Sequence, residues 1–175
     1  LDHYGSMAAL ENAFVEFIAR VPFYGKAVVC GDDPGVRACL DRFTKPFLTY
    51  GFSSENDYWV ENHRENDVGQ EFDVHTKTDG KLGAIKLRIY GKHNALNSLS
   101  AVCVGRLIGL SFPEIQKGLQ EFSGVRRRFD VRFDDPKRKI RVVDDYGHHP
   151  TEIEATLQAA RAHWKNGRVR VVFQP

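Results

Sequence analysis

Three groups of residues have the types and spacing to do chemistry. The first is Asp144-Asp145-Tyr146-Gly147-His148-His149-Pro150, which joins the carboxyl end of an apolar run to the amino end of a helical pattern. In open α/β sheets ligands bind at such junctions, and the free amides of a helix start attract anions. A carboxylate there accepts from ribose hydroxyls, and a His can hold a carboxylate or phosphate oxygen. One loop thus has the groups for a nucleotide and for a second substrate. A plainer reading makes His148 and His149 caps of the helix that follows. A metal shared by the pair is disfavoured, because neighbouring side chains on a helix start point apart.

The second group, Arg126-Arg127-Arg128, concentrates donors suited to nucleotide phosphates, although a solvated basic run has the same composition. Together with Lys137-Arg138-Lys139 it raises the question of nucleic acid. Asp130, Asp134, Asp135, Asp144 and Asp145 lie in the same stretch and would repel a phosphate backbone, so no nucleic-acid partner is expected. The third group is Gly91-Lys92-His93-Asn94-Ala95-Leu96-Asn97. Two Asn three residues apart share one helix face, and their amides can pair with the edges of an adenine amino group. Asn94 also reads as a simple helix cap.

These residues need elements to hold them. Leu10, Phe14, Phe17, Ile18 and Val21 recur at helical spacing behind Ser6, which predicts an amphipathic helix over 8–21. A short apolar strand over 26–30, a helix over 35–43 opened by Asp33-Pro34, and a buried strand over 47–50 give strand, helix, strand, the order of a parallel sheet. Between 57 and 90 the β-formers cluster between turn signals at Asp79-Gly80 and Gly91-Lys92, which predicts an antiparallel meander in or beside that sheet. Helices follow over 94–110 and over 111–122, the second with Pro113 in its first turn. Gly124 marks a boundary, after which come two strands around a polar turn at 134–139, a helix opened by Pro150 with Ile153, Leu157, Ala160 and Trp164 on one face, and an apolar strand over 169–173.

The 175 residues, 42% apolar and 27% charged, describe an ordinary globular protein able to bury a core. A formal charge of +2 points to neither nucleic acid nor an anionic membrane. Cys30, Cys39 and Cys103 are odd in number, widely spaced and set among apolar residues, which argues against a disulfide framework or zinc site and for a reducing cytoplasm. No apolar run approaches the roughly 20 residues that span a bilayer, so no membrane insertion is expected. Ending directly after a strand is unusual for a natural domain and suggests a piece of a longer protein. An exposed sheet edge in such a piece would favour a homodimer.

Taken together, His93-Asn94-Ala95-Leu96-Asn97, the stretch 124–129 and Asp144 to Pro150 resemble the Mur ligase family of peptidoglycan synthesis, the cell wall biogenesis on which cell shape and cell division depend. The resemblance runs essentially from end to end. It implies part of a mononucleotide-binding parallel sheet with a small antiparallel sheet, followed by the start of a Rossmann-like α/β domain. Residues 1–124 would be the carboxyl-terminal part of a central ATP-binding domain, and 125–175 the start of an amino-acid-binding domain. Leu1-Asp2-His3-Tyr4-Gly5, Val21-Pro22-Phe23-Tyr24-Gly25 and the loop from Asp144 to Glu152 are similar to the members that join L-alanine to UDP-N-acetylmuramate.

The resemblance implies an ATP-driven reaction in which the muramyl carboxylate becomes an acyl phosphate and the alanine amine displaces phosphate, with Mg2+ bridging the nucleotide phosphates. It assigns Asn94 and Asn97 to the adenine, Asp145 to the ribose, Arg128 and less directly Arg127 to the phosphates, and Tyr146 and His148 to the incoming amino acid, with Arg128 and His148 closest to the chemistry. The family's Gly-Lys-Thr phosphate loop, its UDP-holding domain and its magnesium-binding His fall upstream of Leu1, so no metal ligand is expected within the chain, His3 included, and the piece is expected to be inactive alone. The carbamylated Lys of some sister ligases has no counterpart, since residues 1–21 contain no lysine. Three other readings stand beside this one. They are a ligase that recycles a murein tripeptide, a nucleotide-binding module without catalysis, and an α/β domain whose motifs are only caps and solvated charges.

Overall fold

The computed structural model describes residues 4–66, 68–164 and 167–174. Leu1, Asp2 and His3 of the amino-terminal motif lie outside the described residues. Helix α1 is Met7–Ala19, and Ser6 begins it by accepting from Ala9 N at 3.1 Å. Strand β1 (Ala27–Cys30) leads to α2 (Pro34–Cys39), whose cap, Asp33, accepts from Val36 N at 2.9 Å. The helix expected over 35–43 tightens into a 3-10 turn at Leu40–Arg42. Phe43 then leaves in an extended conformation. Its ring packs against Phe14 at 5.9 Å and Phe47 at 5.4 Å, a contact that a continued helix would forgo.

Strands β2 (Phe47–Gly51), β3 (Tyr58–Asn66), β4 (Gly69–Thr76) and β5 (Gly80–Leu87) complete one five-stranded sheet in the order β1-β2-β3-β4-β5. The first three strands run parallel and the last three antiparallel, so the meander continues the parallel sheet. Helices α3 (Lys92–Leu107) and α4 (Phe112–Glu121) cover it, α3 across β1 to β4 and α4 against β5. The main core lies between them, where Val60, Phe72, Val74, Ile85, Leu99, Val102 and Ile115 lose nearly all contact with water. Each such side chain contributes roughly 1.5–3 kcal/mol by burial. A smaller cluster of Ile18, Ala27 and Val29 seats α1 near β1.

Beyond α4, strands β6 (Asp130–Asp135) and β7 (Ile140–Asp144) form a separate antiparallel pair, followed by α5 (Pro150–His163). The strand expected over 169–173 is not formed: the segment joins no sheet among the described residues, and Val172 is 100% exposed. A strand exists only where its backbone groups find a ladder partner, and this segment has none among the described residues. Among the described residues no helix is long and apolar enough to cross a membrane.

Candidate functional site

The amino end of α3 is set by a turn that only glycine makes comfortably. Gly91 has φ +92° and caps the helix, and a Cβ there would lie 2.6 Å from Cε1 of His93. Asn94 is therefore inside the first turn and is not the cap. Its Nδ2 donates back to Tyr90 O at 2.7 Å. Asn97 sits one turn on, with its Nδ2 3.5 Å from Asn94 Oδ1, so the two amides lie side by side as their spacing requires.

The second wall comes from the turn after α4. Gly124, Arg127 and Phe129 have φ of +100°, +60° and +51°, two of them in non-glycine residues for which this conformation is costly. The loop before α5 holds that turn in place. Arg127 O accepts from Tyr146 N at 2.7 Å. Asp145 accepts from Phe129 N through Oδ2 at 2.8 Å and from Gly147 N through Oδ1 at 2.7 Å. One carboxylate thus ties both loops together.

The sharp turn sends neighbouring arginines in different directions. Arg128 donates from Nη1 to Glu152 Oε1 at 3.1 Å. The guanidinium holds the Glu152 carboxyl below the usual carboxylate range, helped by the His149 and His148 amides that donate to it. Arg127 instead lies over the Tyr146 ring at 4.7 Å, with Nε 4.0 Å from Asp144.

Between the walls runs a cleft of about 850 Å³ lined by His93, Asn94, Asn97, Arg128, Asp145 and Glu152. Leu119 and Phe122 give it an apolar side. Burial depresses the His93 pKa; nearby Asp145 opposes this and Arg128 adds to it, so the neutral ring is favoured. Four of the residues singled out in the sequence, Asn94, Asn97, Arg128 and Asp145, therefore meet in one place. Arg127, Tyr146 and His148 do not line that cleft. They form a second cluster, with the Tyr146 and His148 rings edge to face at 5.6 Å and Tyr146 53% exposed.

The cap role falls on His149, whose Nδ1 accepts from Thr151 N at 3.3 Å, with Glu152 at the third helical position closing the box. His93 and Glu152 were not singled out as site residues. Glu152 had a signal in its spacing three residues after the cap, whereas His93 had none beyond standing next to Asn94. Among the described residues no three His, Cys, Asp or Glu converge as a metal-ligand set.

Residues 1–105 match the Mur ligase middle domain and residues 127–175 the Mur ligase, glutamate ligase domain. The chain is 45% identical over its whole length to a UDP-N-acetylmuramate--L-alanine ligase from Pelobacter propionicus, of which it spans 38%. Among solved structures it resembles the UDP-N-acetylmuramate-alanine ligase of Thermotoga maritima, with TM-score 0.76 and 27% identity, covering 94% of this chain and 36% of that one. It also shares its fold with a MurF ligase from Thermotoga maritima in complex with ADP, with TM-score 0.73 and 22% identity over 89% of this chain and 35% of that one.

Proposed function

The chain belongs to the Mur ligase family, and from that premise we propose that it is the part of an ATP-dependent, amide-forming ligase that joins L-alanine to UDP-N-acetylmuramate in the cytoplasm, through an acyl phosphate. Residues 1–124 serve as part of the ATP-binding domain and 125–175 as the start of the amino-acid-binding domain. The observation that carries this reading is the convergence of Asn94, Asn97, Arg128 and Asp145 on one cleft.

The cleft fits a nucleotide. Its volume of about 850 Å³ falls within the usual range of small-molecule sites, roughly 300–1,000 Å³. The side-by-side amides of Asn94 and Asn97 offer donor and acceptor to an adenine edge. Asp145 is fixed by two backbone bonds and keeps lone pairs for a ribose hydroxyl. Arg128, held by Glu152, is a fixed cation beside these groups, and a fixed cation stabilises charge that develops during phosphoryl transfer without having to reorganise. ATP, when bound, supplies the phosphoryl group that activates the muramyl carboxylate. What the residues of the cleft contribute is binding, orientation and fixed charge. Tyr146 and His148, with Arg127 beside them, are accessible to an incoming amino acid next to the Asp145 end of the cleft.

The test is phosphate release by the full-length polypeptide that carries this chain, supplied with ATP, Mg2+, UDP-N-acetylmuramate and either L-alanine or the murein tripeptide. Release with L-alanine alone supports the proposal, and Arg128→Ala should lower it by about 10²-fold or more, the usual scale for a lost charge-stabilising donor. Release with the tripeptide alone would assign the recycling activity, and silence with both would leave a module without catalysis.

A further inference from the structure

Behind the adenine-facing end of α3 lies a set of buried polar contacts that neither the fold's core nor the reaction explains. The β3–β4 register places Glu65 directly opposite Gln70, and Gln70 in turn lies opposite Leu87 on β5. Gln70 is only 2% exposed. Its Nε2 donates to Ile89 O at 2.8 Å and to Gly91 O at 3.2 Å. With the nitrogen so used, Gln70 Oε1 must accept, and His63 Nε2 lies 2.8 Å away as its donor. Glu65 Oε1 accepts from Gly91 N at 2.9 Å.

Both polar groups of Gly91 are thus gripped from the sheet. Gly91 O also receives Asn94 N at 2.9 Å and Ala95 N at 3.3 Å, the first hydrogen bonds of α3. The grip therefore fixes where the helix begins and how its first turn is rotated. Asn94 and Asn97 stand on that turn and the next.

The other oxygen of Glu65, Oε2, is buried and has no hydrogen-bond partner among the described residues. An atom left in that state costs stability, so a carboxylate held there for the fold alone would be a poor choice. We infer that Gln70 and Glu65 are positioning residues that lock the Gly91 turn and so hold the Asn94–Asn97 pair in register with an adenine edge. The inference rests on the nucleotide reading of the cleft.

Kinetics on the full-length polypeptide test it. Gln70→Glu sets a carboxylate against the carbonyls of Ile89 and Gly91, and Glu65→Leu removes the acceptor for Gly91 N–H. Each is expected to raise the KM for ATP on the order of tenfold and to erode the preference for ATP over GTP, the scale of one buried polar group left unpaired. The KM for L-alanine should stay within about twofold. Glu65→Gln keeps a carbonyl oxygen for Gly91 N–H and should behave like the parent. Unchanged ATP affinity and ATP preference in Gln70→Glu and Glu65→Leu would overturn the inference. So would a Glu65→Gln as impaired as Glu65→Leu, or loss of folding in both disruptive variants, which would assign the pair to the fold instead. Asn97→Ala separates the two levels: if it raises the KM for ATP while Gln70→Glu does not, only the positioning role fails, and if it too leaves ATP untouched, the nucleotide reading itself fails.

Discussion

His93 shows how much a single side chain can depend on the rest of the cleft. Its ring folds back over Gly91, which has no Cβ to block it, and burial favours its neutral form against the pull of Asp145 and Glu65. A His whose folded pKa is depressed binds fewer protons than it does unfolded, so its contribution to stability is complete above the ordinary value of 6.5 and is lost as the pH falls toward the lowered one. Melting temperatures taken from about pH 8 down to about pH 5 should therefore fall more steeply for the parent than for His93→Asn. Parallel curves would mean that the ring gains and loses its proton equally in both states. The sequence made Asn94 and Asn97 visible because their spacing is set by the helix itself. Residue type alone did not separate Arg127 from Arg128, which only the family resemblance ranked, since their divergence comes from positive φ at Arg127 and Phe129 that the Asp145 and Tyr146 contacts enforce across the loops.

At the scale of elements, the same substitution should have opposite effects at two glycines, one at the cap of α3 and one within α4. Gly91 adopts φ +92° and a Cβ would strike the His93 ring at 2.6 Å, so Gly91→Ala combines backbone strain with a displaced cleft residue. A cost of about 1–3 kcal/mol is expected, together with weaker ATP binding. Gly118 lies within α4 and has open space, with no atom within 4 Å, where a Cβ would stand, so Gly118→Ala should stabilise by about 0.5–1 kcal/mol. Chemical denaturation of both variants checks the pair, and equal signs would contradict the geometry. Most elements were legible because their signals are local: Ser6 begins α1, Asp33 and Pro34 open α2, and Pro150 opens α5. What was not legible depends on partners distant in sequence. The apolar run over 169–173 had the composition of a strand but joins no ladder among the described residues. Glu65 and Gln70 carried no motif, because their role exists only once the β3–β4 register brings both to Gly91.

Across the whole molecule, the cleft is a product of two parts of the chain. Asn94 and Asn97 stand on a helix anchored in the main core by Leu99 and Val102, whereas Arg128 and Asp145 come from the loops that frame β6, β7 and α5. The Tyr90 and Phe129 rings, 6.0 Å apart, and the stacking of Phe129 on Trp164 at 5.9 Å link the two parts beside the cleft. A ligand that touches both walls at once is what the arrangement is shaped to take. The most direct measurement is photolabelling of the full-length polypeptide with an azido-adenine analogue of ATP, followed by peptide mapping. Label on peptides carrying 93–97 or 118–128, suppressed by excess ATP, is the result this account predicts. Label confined to the strands over 58–76 or to α1, with the cleft peptides unmarked, would contradict it.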